Sequence, residues 1–310
     1  TSKAPGFGPK GIARYVLPFT VFLKLKDIGQ NVLPPYDEIF QEVAMTSEME
    51  GVYRKMQQEL SDMLKKALRS GDHTLMGVVL NALLAWPECC FRPEKITHPR
   101  DRRNVLHFNA ALFGDGEPTP KEQALIYLCR EEHAQGRRVL IYTVYSGTRD
   151  TTSRLKTLLA REGFQASVLK ATVPTEKRED WIIDQVERGC DVLITNPELV
   201  KTGLDLLDFP TIVFLQTGYN VYTLHQAARR SWRIGQKQAV TVIFLGYQDT
   251  AQIQCLRLMA QKIAVSQSTS GEMPSATRMC GGASKNRPGT TAVSNSRTRR
   301  SANASDDTTS

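Results

Sequence analysis

The stretch QAARRSWRIGQ, residues 226–236, places three arginines within eleven positions. In a helix, Gln226, Arg230 and Arg233 would be spaced by four and three residues and would share one face. Two guanidinium groups on one face could bind a γ-phosphate and stabilise the charge that develops on it. Clustered charges on a helix are more often a solvated face, but this segment contains no acid and stops at Gly235. We therefore interpret it as a phosphate site.

A second stretch, NPELVKTGLDL at residues 196–206, could also contact a nucleotide. Lys201, Thr202 and Gly203 could approach a phosphate chain, and Asp205 could accept a hydrogen bond from a sugar hydroxyl. An ordinary loop in which Gly203 takes a positive φ explains the same residues. Both interpretations stay open.

A third stretch, YSGTRD, begins with Tyr145, Ser146, Gly147 and Thr148 and precedes a predicted helix. Its backbone N–H groups and the positive end of the helix dipole could receive a phosphate, although a simple helix cap fits equally well. All three stretches follow apolar strands. We therefore expect them at the carboxyl edge of a parallel sheet, where such sheets bind ligands.

The groups that would hold a nucleotide are missing from the sequence. No GxxxxGK[ST] motif and no acidic DExH or DEAD box occurs. The chain therefore offers arginines for a phosphate, but neither a cradle for ATP nor a carboxylate for Mg²⁺. The six cysteines form no CxxC pair and no zinc-like spacing, so we expect no metal site and a reducing, cytoplasmic setting.

From residue 121 the chain alternates between helices and continuously apolar strands, which predicts a doubly wound α/β domain with a parallel sheet covered on both faces. The predicted helices are 121–133, 150–162, 175–188, 221–232 and 250–264. The predicted strands are 138–144, 165–170, 191–196, 211–216 and 239–245. Residues 121–265 are therefore expected to form one domain.

Residues 1–120 are expected to be a helical hinge or connector. An extended lead-in with a strand at 22–26 precedes a helix that starts with a capping box of Ser47 and Glu50. A second helix, 74–85, should end at Pro87, and 88–120 reads as a connector. Residues 266–310, rich in Ser, Thr, Gly, Asn and Arg, should be a disordered basic tail.

Composition and charge set broad limits on function. The chain is 41% hydrophobic and 23% charged, which is typical of globular proteins, and no apolar run is long enough for a membrane span. The net charge of +8 favours an anionic partner such as nucleic acid. From residue 276 onward, six Lys/Arg residues oppose two Asp residues, so the tail supplies half of this excess and charge alone is weak support.

QAARRSWRIGQ resembles motif VI of superfamily-two helicases, and most closely that of the Swi/Snf-like ATPases and their bacterial and phage relatives. VKTGLDL looks like motif V, and the segment from RRVLIYTV to LLAREGF looks like the motif IV region. The helix before motif V has Arg178 at the family's usual arginine. The resemblance covers about residues 15–273 and implies a second, RecA-like motor lobe preceded by its hinge. Arg229 and Trp232 depart from the common pattern, which favours a microbial or phage protein.

The resemblance also implies roles for the residues in these stretches. Arg230 and Arg233 would be arginine fingers, with Gln226 at the nucleotide cleft. Motif V would couple nucleotide to nucleic acid through Lys201, Thr202, Gly203 and Asp205. The loop Tyr145–Thr148 would contact the phosphodiester backbone.

We therefore expect the C-terminal half of an ATP-dependent helicase or DNA translocase, inactive until a RecA-like first lobe, in cis or in trans, supplies the ATP and Mg²⁺ site. DNA is favoured over RNA as the partner. A stand-alone, non-catalytic nucleic-acid-binding module is the alternative. An unrelated α/β domain with an accidental motif is a third and weaker one.

Overall fold

In the computed structural model, residues 33–200, 203–216 and 226–269 are described, together with 11, 14–15, 17–19 and 278–280. The predicted strand at 22–26 lies outside these residues. Among the residues whose positions the structure gives, no helix combines the length and apolarity that crossing a membrane would require.

A seven-stranded parallel sheet organises the described part of the chain. Its strands are β1 Tyr36–Val43, β4 Val139–Tyr142, β5 Ala166–Leu169, β6 Val192–Thr195, β7 Thr211–Phe214, β8 Val240–Tyr247 and the short β9 Arg278–Cys280. Their order is β5-β6-β4-β7-β8-β1-β9. A separate antiparallel hairpin consists of β2 Glu94–His98 and β3 Asp101–Asn109.

In sequence, the α-helices lie between the strands of the sheet. They are α1 Ser47–Arg69, α2 Leu75–Cys89, α3 Pro120–Ala134, α4 Thr151–Arg161, α5 Arg178–Glu187, α6 Pro197–Val200 and α7 Ala251–Thr269. Short 3-10 helices occur at Leu17–Phe19 and Thr175–Lys177. From α3 onward, strands and helices agree with the predicted bounds within a few residues, except at 221–232 and at the end of α7.

Helices cover both faces of the sheet, as the continuously apolar strands predict. On one face, α3 and α4 pack against residues such as Ile141 and Val213. On the other, α5, α7 and the segment 204–209 pack against Leu140 and Phe214. This confirms the doubly wound, RecA-like α/β fold.

The sheet is not confined to the segment 121–265, because β1 belongs to it. All eight residues of β1 pair in parallel with β8, from Tyr36 opposite Val240 to Val43 opposite Tyr247. The acidic and polar residues of YDEIFQEV hide the strand in the sequence, where this region reads as an extended lead-in. Buried Phe40 stacks on a phenylalanine of β8 and joins the main core.

The predicted connector at 88–120 is wrong over residues 94–109, because these form the hairpin of β2 and β3. The inward positions of this hairpin include His107 and Asn109, which weaken its alternating pattern. These polar groups are satisfied by other elements: His107 Nδ1 lies 2.7 Å from Glu59 Oε2 on α1, and Nε2 lies 2.8 Å from Asn109 Oδ1. Packing against α1 therefore allows a strand that sequence patterning does not reveal.

Helix α2 continues to Cys89, past the end predicted at Pro87. Trp86, Cys89 and Cys90 are fully buried and Glu88 is paired in the interior, so tertiary packing overrides the proline. Together, α1, α2 and the hairpin enclose a third core, which reaches the sheet at Tyr247.

Two further predictions need adjustment. Thr46, rather than Ser47, caps α1: its Oγ1 accepts a hydrogen bond from Met49 N at 3.2 Å. Helix α7 extends to Thr269, and β9 also falls within the segment predicted to be disordered. The rest of 266–310 lies outside the described residues.

Candidate functional site: the arginine segment and the loop after β4

The arginine segment is not one continuous helix. Residues 226–228 are helical, but a turn begins at Arg229, and Arg230 and Arg233 lie in irregular backbone. The expectation that Gln226, Arg230 and Arg233 share a helical face is therefore wrong. The first part of the predicted helix, up to residue 225, lies outside the described residues.

Tertiary contacts fix this irregular segment and explain why helix geometry is lost. Trp232 Nε1 donates to Pro34 O at 2.8 Å, and its ring centroid lies 4.8 Å from that of Tyr36. The buried side chain of Gln236 donates to Ser231 O at 3.0 Å. Since Pro34 and Tyr36 mark the amino end of β1, Trp232 lies at the edge of the sheet opposite to the one we expected.

Arg230, Arg233 and Asp205 lie together. Arg233 Nη1 donates to Asp205 Oδ1 in an ion pair, and the two side chains are 46% and 48% exposed. Arg230 is only 8% exposed. Burial lowers the pKa of its guanidinium, and the charge of Arg233 lowers it further, while Tyr142 and Asp205 act in the opposite direction. Among Arg230, Arg233 and Asp205, positive charge exceeds negative by one, which favours an anion.

Of the other residues predicted for this site, the structure describes Gly203 and Gln226. Gly203 has φ +74° and is exposed, which confirms the positive φ of the loop interpretation. Gln226 is half-buried at the start of the helical residues 226–228. Lys201 and Thr202 lie outside the described residues. Backbone contact between Leu206 N and Arg230 O, at 3.1 Å, joins the motif V loop to the arginine segment.

Arg178 is a positioning residue for this loop. Its Nε donates to Val173 O at 3.2 Å, and its Nη1 donates to Leu199 O at 2.9 Å. Leu199 lies in α6, immediately before the motif V residues. The arginine therefore fastens the amino-terminal side of that loop to the start of α5.

The loop Tyr145–Thr148 lies at the carboxyl end of β4, as predicted. Gln216, just beyond β7, receives hydrogen bonds at its Oε1 from Val144 N at 3.1 Å and Tyr145 N at 3.0 Å. Ser146, Gly147 and Thr148 are exposed. Gln216 is buried and holds the start of the loop, a role that sequence reasoning missed although the residue follows an apolar strand.

Three charged residues near this loop were also missed. Arg149 Nη2 pairs with Glu94 Oε1 of β2 at 2.5 Å, and its guanidinium lies 5.2 Å from the Tyr145 ring centroid. Arg92 Nη1 donates to Thr148 O at 2.5 Å. Because Arg92 and Glu94 belong to the region that reads as a connector, the sequence gives no sign that they hold this loop.

A buried polar cluster lies behind the same edge of the sheet. Lys121 Nζ donates to Glu88 Oε1 at 2.6 Å and to Leu215 O at 2.5 Å, and Gln252 Nε2 donates to the same Glu88 oxygen at 2.6 Å. Burial raises the pKa of Glu88 and lowers that of Lys121, while each charge opposes the shift of the other. These contacts join α2, α3 and α7.

The two groups of predicted residues thus occupy different parts of the sheet. Arg230, Arg233 and Asp205 can bind an anion, and the loop after β4 presents exposed backbone and hydroxyl groups. Within the described ranges, no group of three or more His, Cys, Asp or Glu residues could hold a metal ion.

Comparison with known proteins identifies the region that contains both groups. Residues 120–235 match the family of helicase conserved C-terminal domains. The match starts at the first residue of α3 and ends at Gly235, within the arginine segment. It therefore includes the loop after β4, the motif V loop, and Arg230 with Arg233.

The SNF2 domain-containing protein CLASSY 4 of Arabidopsis thaliana is 28% identical over 138 residues, which cover 43% of this chain and 12% of that protein. The TATA-binding protein-associated factor BTAF1 of Arabidopsis thaliana is 27% identical over 136 residues, which cover 41% of this chain and 6% of that protein. The chain thus matches only a small part of either relative. The crystal structure of the C-terminal part of the Fun30 ATPase domain matches with a TM-score of 0.59 and 16% identity, covering 73% of this chain and 90% of that one. The chain therefore contains a region similar to helicase conserved C-terminal domains, and its fold resembles that of the C-terminal part of the Fun30 ATPase domain.

Proposed function

We propose that this chain is the second motor lobe of an ATP-dependent helicase or DNA translocase. The observation that carries the proposal is the grouping of Arg230 and Arg233 around the single carboxylate of Asp205, inside the region that matches the helicase C-terminal family. Arg233 is half-exposed, so it can exchange its carboxylate partner for a phosphate. Arg230, largely buried, has little conformational entropy left to lose on binding.

In this proposal, ATP and Mg²⁺ are held by a RecA-like first lobe, in cis or in trans. The sequence of this chain has no phosphate loop and no acidic box, so its own contribution is the pair of arginines. They stabilise the negative charge that develops on the transferred γ-phosphoryl group, an effect on the order of 10³ to 10⁵ in rate. Gln226, Gly203 and Asp205 line the nucleotide side of the lobe.

Nucleic acid, with DNA favoured over RNA, is the second ligand. The loop Tyr145–Thr148 is exposed at the carboxyl edge and would contact the phosphodiester backbone, and Lys201 and Thr202 would assist. Closing of the two lobes on ATP and opening after hydrolysis would move the backbone between them. A microbial or phage origin stays a prediction, because both relatives named above are plant proteins.

The proposal is tested by ATP hydrolysis in the presence of DNA, with the chain alone and with a Swi/Snf-like first lobe added. We expect negligible hydrolysis alone and stimulated hydrolysis with both lobes. R230A/R233A should reduce the stimulated rate by about 1000-fold or more, since both charges that face the γ-phosphate are removed. The control R130A/R188A removes two exposed arginines near the ends of α3 and α5 and should leave the rate unchanged.

A stimulated rate that survives R230A/R233A would refute the assigned roles. DNA binding by this chain that is unaffected by a first lobe, without any ATP hydrolysis, would instead favour the stand-alone binding module. The two results are distinguishable, because the first is measured as turnover and the second as affinity.

A further inference from the structure

The hairpin of β2 and β3 is a cationic projection outside the region that matches the helicase family. Between residues 92 and 109 it carries five Lys/Arg residues and two Asp/Glu residues. Lys95, Arg100, Arg102 and Arg103 are all exposed. Within the part of the chain that the structure describes, none of these four side chains forms an ion pair, although the charge of Arg100 acts on the carboxylate of Asp72.

This hairpin is fastened to the loop that we propose to contact nucleic acid. Arg92 donates to Thr148 O at 2.5 Å, and Glu94 pairs with Arg149 at 2.5 Å. The inner face is anchored independently, because His107 bonds Glu59 of α1. Both attachments fix the hairpin as a continuation of the carboxyl edge of the sheet.

The outer face of the hairpin combines cationic with aromatic surface. Lys95 lies directly opposite Phe108 in the strand register, and Val105 lies opposite Thr97. Phe108 is 59% exposed, because it alternates along β3 with the buried His107 and Asn109 and therefore lies on the outer face. Protein surfaces that bind nucleic acids combine exposed aromatic rings with cations, since bases stack on the rings and phosphates pair with the charges.

We propose that the β2–β3 hairpin is a second nucleic-acid contact, continuous with the loop Tyr145–Thr148. The four strand steps from Glu94 to His98 span roughly 13 Å at about 3.3 Å per residue. At about 3.4 Å per nucleotide along one strand of a duplex, the arginines at the tip lie roughly four nucleotides from the loop. Arg100, Arg102 and Arg103 contact phosphates, and Phe108 stacks on an unpaired base or contacts the sugar.

This inference rests on the proposed nucleic-acid function but not on the arginine segment. It is tested with the whole chain, without ATP, by fluorescence anisotropy of labelled single-stranded and duplex DNA at several salt concentrations. R100Q/R102Q/R103Q should weaken binding at least about tenfold and reduce the slope of log K against log salt by about 2 to 3, since three phosphate contacts are lost. The matched control R130Q/R161Q/R188Q removes three exposed arginines near the ends of helices at the other edge and should change neither quantity.

Two further variants separate the contribution of the arginine charges from that of the Phe108 ring. R100K/R102K/R103K keeps the charges and should preserve most of the salt slope, which also shows that a loss in the glutamine variant reflects charge rather than misfolding. F108A should weaken single-stranded DNA binding by about fivefold or more while affecting duplex binding less.

An unchanged salt slope in R100Q/R102Q/R103Q, or an equal loss in the control, would overturn the proposal. Absence of DNA binding by the unmodified chain would overturn it as well, and would also remove the nucleic-acid part of the proposed function. The role of Arg230 and Arg233 would still be decided separately by ATP hydrolysis.

Discussion

Removing one charge of the Lys121–Glu88 pair should destabilise the protein far more than removing both. Both side chains are almost completely buried, at 2% and 5% exposure, and Nζ and Oε1 are 2.6 Å apart. K121M leaves a buried carboxylate, E88Q leaves a buried ammonium group, and the double variant K121M/E88Q leaves neither. Methionine can occupy the space of the lysine stem without adding charge.

The size of the effect follows from desolvation. Breaking a buried ion pair by removing one partner destabilises by about 3–5 kcal/mol, whereas replacing the whole pair by neutral groups is often neutral or stabilising. The amide introduced by E88Q in the double variant still offers an oxygen to Gln252, whose Nε2 also donates to Leu84 O at 2.9 Å. We therefore expect each single variant to lose about 3–5 kcal/mol and the double variant to lie within about 2 kcal/mol of the unmodified chain.

The assay is urea unfolding followed by circular dichroism from pH 5 to pH 9. In K121M, burial keeps the pKa of Glu88 above its ordinary value of 4.5. The folded state then holds a proton that the unfolded state has lost. The loss of unfolding free energy relative to the unmodified chain is therefore small near pH 4.5 and grows as pH rises. In E88Q, burial keeps the pKa of Lys121 below its ordinary 10.5, so its deficit is large at low pH and shrinks as pH rises towards 10.5.

Two results would refute this reasoning. If the double variant lost as much unfolding free energy as the two single variants together, the two charges would not interact. Parallel pH trends in K121M and E88Q would show that the deficits do not arise from the remaining buried charge.

The remaining predictions concern backbone conformation and cysteine reactivity. G203A should lower the free energy of unfolding by about 1–2 kcal/mol, because φ at this position is +74°, although an added Cβ would meet nothing within 4 Å. G51A, on the exposed face of α1, should instead raise it by about 0.5–1 kcal/mol. Equal effects of the two variants in urea unfolding would contradict this reasoning. Cys89 and Cys90 are fully buried, and burial raises the pKa of both thiols, so they should react with a thiol reagent such as DTNB only after unfolding. Rapid reaction of either in the folded chain, read by mass spectrometry, would refute their burial.

The sequence predicts the fold well where strands are apolar and helices amphipathic. β4, β6 and β7 are buried along their whole length, and their composition alone identifies them. Prediction fails where polar side chains point inward and their hydrogen-bonding groups are paired with residues of other elements. The acidic strand β1 and the His107 side of the hairpin are such cases, and no local pattern reveals their partners.

The candidate site is predicted in its residue types but not in its geometry. The three arginines suggest a phosphate site, yet helical spacing gives the wrong arrangement, because Trp232 and Gln236 make long-range contacts that replace helix geometry. The ion pair between Asp205 and Arg233 joins two motifs that are 28 positions apart. Gln216, Arg92 and Glu94 could be recognised only after the chain was folded around the loop they hold.

Pairing of β1 with β8 has a consequence for biosynthesis. About 200 residues separate Tyr36 from its partner Val240, so β1 leaves the ribosome long before β8 exists. At about 5–20 residues per second the delay is roughly 10 to 40 s. Throughout that interval Phe40 lacks the phenylalanine of β8 on which it stacks in the folded protein, so β1 cannot join the sheet in its native pairing until β8 is translated.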